Sequence, residues 1–427
     1  MTLFSRLQPG QQRLDVQRAL RWFNWQAGLR APVDVICPVT GFIFVDFALA
    51  LGIPKEHIGY FAALVSAAAV MQLVGLWAVS AFRERKRFVV LFAALEIVLL
   101  ITAVLLTPGL PSAWRMGTLA VLLLLSASAN YLIRPTTDEW LATAIPARVR
   151  GRYLGRRFQI LCAASVVAIL AGGYLAQRVP QSDARGFALL LLGGGVLGLL
   201  AVVAWWHIPP PAVPAVTVRW ADLPEILRHK PYLFYLLGLM CYDFPFFIVT
   251  PYYQVYHLRV LNLHEAAIAW IAISYYLTRS LASGICGRWV DRLGVRKILL
   301  LITPSYLILF GAYVVSTPGT VWLIYAASAL AGVGDAVFGV VAAASLYATV
   351  PESSARQAYF AVYNLSLLLL TGLGAIVGVH LLDMLQGHQL LIANLTLTPF
   401  HLLFAIAFVV LVLAIPGIWG FPQQTTR

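Results

Sequence analysis

The sequence is poor in charge. Only 11% of its 427 residues are Asp, Glu, Lys or Arg, and 61% are apolar. A soluble domain is about a quarter charged, so this chain lacks the polar surface to stay in water. That excludes a soluble enzyme. Cysteine is scarce as well. Cys37, Cys162, Cys241 and Cys286 all fall inside apolar stretches and share no ligand spacing, which leaves four small core residues. The alternating apolar and polar pattern of a porin strand is missing, so a β-barrel is excluded. There is no HExxH, no Ser/His/Asp set and no Cys/His cluster, so no catalytic site, metal or cofactor is expected. A phosphate-binding glycine loop is also missing, which excludes drive by a bound nucleotide. The N-terminal segment carries Arg6, Arg13, Arg18 and Arg21 without a short apolar run and cleavage site. A removable signal peptide is therefore not expected, and the first helix serves as the insertion signal.

What is present is apolar length. Apolar blocks of about twenty residues recur along the chain, each long enough as a helix to cross a ~30 Å hydrocarbon core. Lipid offers no partner for backbone polar groups, so such blocks fold as helices. Twelve spans are expected, at 26–51, 57–81, 88–108, 114–141, 156–178, 186–206, 233–257, 265–287, 297–316, 320–347, 357–382 and 398–419. The longest polar interruption, 207–232, holds Pro209, Pro210, Pro211 and Pro214 before WADLPEILRHKP. Prolines stiffen a linker, and Trp220–Lys230 reads as a short surface helix. The domains are accordingly an N-terminal six-helix bundle (1–206), a cytoplasmic linker (207–232) and a C-terminal six-helix bundle (233–427).

The net charge of +13 does not indicate nucleic acid, because the basic residues lie in the inter-helix loops and not in one patch. Their distribution gives an orientation. The termini and even-numbered loops hold 23 Lys and Arg, and the odd-numbered loops hold 5. This bias places both termini in the cytoplasm of a cell-membrane protein. The two halves also read as repeats. At an offset near 205, Asn130 falls on Asp335; near 209, Asp34 falls on Asp243. SAFRERKRFVVLF falls on WVDRLGVRKILLL. Duplicated six-helix bundles are a transporter plan.

The loop after the eighth span reads GRWVDRLGVRK (287–297). Glycine at 287 permits close helix approach, and glycine at 294 permits a tight reversal. In Gly287, Asp291, Arg292, Gly294, Arg296 and Lys297 this segment resembles the signature loop of the major facilitator superfamily. The run after the fourth span, PARVRGRYLGRR (146–157), resembles a P-x-x-x-R-G-R-x-x-G-R-R loop of bacterial members. The resemblance implies an all-α integral membrane fold of twelve helices in two six-helix pseudo-repeats. It also implies a conformational latch at 287–297. The first-half copy, SAFRERKR, has no matching Asp or Gly, so a latch there would need Glu84 with Arg83 or Arg85. The fifth span has only AGGYLA, and the fourth lacks an early arginine pattern. Drug or metabolite antiport is thereby the weaker alternative.

Ionisable groups deep in a span are costly and so point to function. In the family the first, fourth, seventh and tenth helices line the cavity. Here those spans carry Asp34 and Asp46; Asn130, Arg134, Asp138 and Glu139; Asp243; and Asp335. Arg134, before Pro135, is either a substrate contact or the partner of Asp138 four residues on. Asp34, Asp243 or Asp335 is a candidate proton site, or else pairs with Arg30 or Arg279. Asn364 and Tyr363 are further cavity candidates. Tyr252 and Tyr253 beside Pro251 could gate the outer side. Other aromatics near span ends, Trp270, Tyr275 and Tyr276 among them, read as an interface belt. His380 and His401 read as structural.

The expected activity is secondary transport of a small polar solute by alternating access, with proton coupling. A membrane sensor with a transporter fold that does not transport is the remaining alternative. The expected partners are the solute and membrane lipid, and the expected state is a monomer.

Overall fold

The computed structural model describes residues 9–39, 41–82, 84–146, 149–210, 226, 228–263, 265–351, 356–386, 390–392 and 395–422. Most of the 207–232 linker, with its surface helix, lies outside the described residues. The chain forms two compact units.

The first unit comprises residues 1–148, 163–223 and 352–365. Its helices are α1 (Pro9–Ile36), α2 (Phe42–Ala50), α3 (Lys55–Ala67), α4 (Met71–Ala78), α5 (Arg85–Leu106), α6 (Ser112–Ala144), the later part of α7 (Arg150–Ala176) and α8 (Ala184–His207). Its core joins Ile43, Phe44, Phe47 and Phe61 to Leu119, Leu123 and Phe187. A Cβ at Gly75 would lie 2.1 Å from the Leu132 carbonyl oxygen, so α4 meets α6 only because that position has none. Asp183 caps α8, accepting hydrogen bonds from the backbone of Arg185 and Gly186, as an N-cap carboxylate does.

The second unit comprises residues 149–162, 224–351 and 366–427. It holds the start of α7, then α9 (Lys230–Val249), α10 (Tyr253–Arg259), α11 (Glu265–Leu293), α12 (Val295–Val315), α13 (Trp322–Thr349), most of α14 (Arg356–Leu385) and α15 (Pro399–Ala414). α13 packs along α11 and α12, and α15 along α9 and α12. Gly294, at φ +79°, makes the reversal between α11 and α12, the left-handed role its place in the loop implied.

Among the described residues, ten helices are long and apolar enough to cross a membrane. The two further expected spans have physical reasons for standing apart. The stretch 26–51 is divided, because α1 ends at Ile36 and a turn from Pro38 to Gly41 precedes α2. α11 has 29 residues, ample length at 1.5 Å per residue, but it carries Arg279 beside Tyr275 and Tyr276. One small element is not helical. Leu390–Ile392 (β1) and Leu395–Leu397 (β2) pair antiparallel, Leu390 opposite Leu397. Only two residues separate these strands, the spacing of a tight hairpin.

Candidate functional site

The second unit gathers its polar groups around Asp335, midway along α13. The Tyr275 hydroxyl of α11 donates to Asp335 Oδ2, and the Tyr306 hydroxyl of α12 donates to Oδ1 at 2.9 Å. Arg279 Nη1 lies 3.5 Å from Oδ2 and donates to the Tyr275 oxygen at 3.3 Å. The sequence Gly332-Val-Gly-Asp explains how three helices converge. A Cβ at Gly332 would lie 2.3 Å from the Tyr275 carbonyl oxygen, and one at Gly334 would lie 2.3 Å from Ser305 Oγ. Two glycines thus bring α13 against α11 and α12, and deliver the carboxylate to both phenols.

Asp243 lies midway along α9 and is half-buried. Its carboxylate takes no hydrogen bond and no ion pair among the described residues. The charged group acting on it is Asp335. The neighbouring Tyr242 is fully buried. Its hydroxyl meets Thr303 Oγ1 at 3.1 Å, and its ring stacks on Phe338 with centroids 5.3 Å apart. The set therefore holds two carboxylates and one guanidinium. An uncompensated charge away from water is expensive, so a proton or another cation is the natural complement. Arg279 Nε is buried without a hydrogen bond, and so, at the start of α10, is the Tyr253 hydroxyl.

The first unit treats its charges differently. Arg30 of α1 donates to Glu96 of α5 through both terminal nitrogens, at 2.8 and 2.6 Å. Its Nε donates to Asp34 at 2.9 Å. Asp34 thus takes the local arginine expected of it four residues away, and its side chain is 51% exposed. Arg85 pairs with Glu139 at 2.6 Å, both side chains being buried. Glu84 pairs instead with Arg87 at 3.0 Å, and Arg83 lies outside the described residues. The Glu84–Arg85 latch therefore does not form: Arg85 turns inward to a carboxylate on α6. Arg134 is exposed and makes no ion pair among the described residues. The Arg134–Asp138 pairing is likewise absent, because Asp138 accepts a hydrogen bond from Asn364 Nδ2 at 2.9 Å. Pro135 is accommodated inside a continuous α6. Asn130 is half-buried on the same helix, with no hydrogen bond among the described residues.

At the latch, Gly287, Asp291 and Arg292 occupy the last turns of α11, and their side chains lie outside the described residues. Arg296 donates to the carbonyls of Phe421 at 2.9 Å and Trp419 at 2.7 Å, so it fastens the end of the chain to α12. Lys297 is exposed. His401 caps its own helix with Thr398 and meets Tyr256 Oη at 3.1 Å, a structural place; His380 is exposed. Tyr253 packs on Tyr313 and Phe404, and Tyr252 on Phe400. Cys241 is exposed, unlike the other three cysteines.

Sequence reasoning passed over Glu96, although a lone acid in LFAALEIVLL was a readable signal. It placed Tyr275 in an interface belt, where the structure gives it to Asp335. Tyr306 left no signal among so many aromatics.

Comparison with known proteins agrees with this architecture. Residues 235–426 match the model of the Major Facilitator Superfamily. The ectoine/proline transporter ProP of Corynebacterium glutamicum is 24% identical over 153 residues, a stretch covering 35% of this chain and 30% of that protein. The chain superposes on the proton:xylose symporter XylE bound to 6-bromo-6-deoxy-D-glucose with a TM-score of 0.72, at 14% identity, covering 96% of this chain and 97% of that one. A bacterial homologue of the iron transporter ferroportin, in its outward-facing state, gives 0.71 at 14% identity, over 95% and 98% of the two chains. Residues 235–426 thus match the major facilitator superfamily in sequence, and along its length the chain has the fold of these solved transporters.

Proposed function

We propose that this protein is a secondary transporter of a small polar solute, working by alternating access and driven by protons taken up at Asp243 and Asp335. The observation that carries this reading is the unmatched carboxylate: half-buried midway along α9, Asp243 takes no hydrogen bond and no ion pair among the described residues. A proton removes that unmatched charge, and release of the proton restores it. Tyr275 and Tyr306 suit such a cycle, because a phenol can donate to a carboxylate or accept from a carboxylic acid. A solute binding near these groups is thereby linked to their protonation. XylE is by its description a proton:xylose symporter and ProP an ectoine/proline transporter, which supports a proton-driven carrier of a polar solute. The reading keeps the bundles at 1–206 and 233–427 joined by the 207–232 linker, both termini cytoplasmic, and the latch at 287–297.

Reconstitution into liposomes tests it. An inside-alkaline gradient should drive solute accumulation without ATP. In Asp243→Asn and Asp335→Asn, accumulation should fall to the equilibrium level while solute exchange continues. Unchanged accumulation in both variants would sink the proton role. Binding without any flux would return the protein to a sensor.

A further inference from the structure

The start of α15 is held by a histidine. Thr398 is the N-cap, Pro399 the first residue, and His401 stands at the third position. In a capping box that position is ordinarily Glu or Gln, whose side chain reaches back to the N-cap backbone N–H. Here an imidazole nitrogen does so. The Thr398 backbone N–H donates to His401 Nδ1 at 3.1 Å, and Thr398 Oγ1 lies 2.8 Å from the same atom. A backbone N–H can only donate, so Nδ1 carries no proton and the neutral ring holds its proton on Nε2. Nε2 has the Ser316 carbonyl to donate to, at 3.1 Å, and lies 3.1 Å from Tyr256 Oη. The Tyr256 hydroxyl has the carbonyls of Tyr313 at 2.9 Å and Ser316 at 3.2 Å to donate to. One ring thus fastens the start of α15 to α10 and to the C-terminal end of α12.

A second proton on this ring has one place to go, Nδ1, where it meets the Thr398 N–H donor to donor. His401 is 3% exposed, so the added charge would also be buried, and a buried charge needs a partner. Among the described residues no carboxylate bonds the ring. Its titratable neighbours are Tyr256 and His257 of α10 and Tyr313 of α12, with His257 Nε2 at 2.8 Å from Tyr313 Oη. Arg259 at the end of α10 and Asp383 near the end of α14 are exposed, and Asp383 accepts from Gln386. The terminal carbonyls of α12 favour a cation, but Ser316 already receives Nε2–H from the neutral ring, so protonation gains no bond there. We propose that His401 makes this cap a proton-sensitive fastening: the neutral ring ties the start of α15 to α10 and α12, and a proton on Nδ1 unties it, loosening residues 395–404. The transport reading supplies only the side of the membrane: in its orientation the cap lies on the outer face and responds to acid outside.

Hydrogen exchange of the purified full chain at pH 8 and pH 5, read by mass over residues 395–404, tests it. His401→Gln is the reference, because glutamine keeps the capping box and does not titrate. His257 and the carboxylates titrate in both chains and cancel. The sign follows from linkage: the opened segment binds a proton that the closed cap excludes, so protection is full above about pH 6.5 and is lost as the pH falls. From pH 8 to pH 5 the parent's protection relative to His401→Gln should fall about ten- to thirtyfold, the upper figure being the protonation factor at pH 5 of an ordinary histidine of pKa about 6.5. Residues 336–345 of α13, where Ala336, Val337, Val340 and Val341 are buried in the same unit, should show no such change. A relative fall of less than about tenfold overturns the proposal and leaves His401 a structural cap. An equal fall at 336–345 overturns it too, because the acid response is then global. Should His401→Gln not fold, the parent decides: corrected for intrinsic rate, its protection must fall at least about tenfold at 395–404 and not at 336–345. Transport is scored separately. Loss of solute accumulation in liposomes with this exchange pattern intact sinks the transport reading and leaves the fastening standing; the opposite result does the reverse.

Discussion

The two units hold their buried charges in opposite ways. In the first, the buried Glu96 and Glu139 are each closed by a guanidinium: Glu96 by two bonds from Arg30 at 2.8 and 2.6 Å, and Glu139 by Arg85 at 2.6 Å. In the second, Asp335 is held by two neutral phenols with its arginine at 3.5 Å, and Asp243 has no such bond among the described residues. A carboxylate gripped by an arginine cannot take a proton without losing its strongest bonds. One held by phenols can, because the hydroxyl reverses its role. The same residue types thus serve as clamps in one unit and as chemistry in the other. What separates them is whether a guanidinium or a phenol makes the direct bonds to the carboxylate.

The comparison breaks most readily at Glu96. Glu96→Ala leaves Arg30 with exposed Asp34 alone and should destabilise the protein by about 3–5 kcal/mol in detergent unfolding, as breaking a buried pair does. A double replacement, Arg30→Met with Glu96→Met, should recover much of that loss. Asp243→Asn removes an unmatched charge and should change stability by less than about 1 kcal/mol or raise it. If Glu96→Ala proves as mild as Asp243→Asn, the two units are not different in kind. A second test asks whether helix approach builds the site. Gly332→Ala puts a methyl 2.3 Å from the Tyr275 carbonyl oxygen. It should cost about 3 kcal/mol by overpacking and lower proton-driven accumulation with it. Gly193→Ala in α8 meets nothing within 4 Å. It should be neutral or stabilising by about 0.5–1 kcal/mol, the gain of alanine over glycine in a helix. A smaller effect is expected of Tyr306→Phe, which removes one neutral donor from Asp335 and should cost about 1 kcal/mol.

How far the sequence carried follows from which properties are local. Span number came from apolar length, which lipid enforces residue by residue. Gly294 was readable because a reversal between two helices requires a residue free to take positive φ. Arg30 with Asp34 was readable because four residues fix two side chains on one helix face. The same rule misled at Arg134 and Asp138, where an amide from Asn364, 226 residues away, takes the carboxylate. Glu96 with Arg30 and Tyr306 with Asp335 are likewise bonds across helices, 66 and 29 residues apart. Spacing along one chain does not encode the depth and rotation that bring such groups together. The division of the first expected span was legible in part, since Pro38 cannot continue a helix, but the length of α1 before the break was not.

Asp138 is the instructive intermediate. It belongs to the first unit yet accepts from an amide, Asn364 Nδ2, at 2.9 Å. By its donor it resembles Asp335; by its unit it resembles Glu96. Asp138 keeps a further partner and is half-buried, so Asn364→Ala should cost only about 1 kcal/mol, one hydrogen bond to a charged group partly reached by water. Asn364→Asp should cost more, because it sets a second carboxylate against the first. Lowering the pH should narrow the gap between the two variants, since protonating either acid removes the repulsion. Unfolding of both variants across an acidic pH series measures this. A gap that does not narrow would mean that the Asn364 side chain is held by packing and not by Asp138. A cost for Asn364→Ala as large as that for Glu96→Ala would place Asp138 with the clamps, and would show that the unit, not the donor, sets how tightly a buried carboxylate is held.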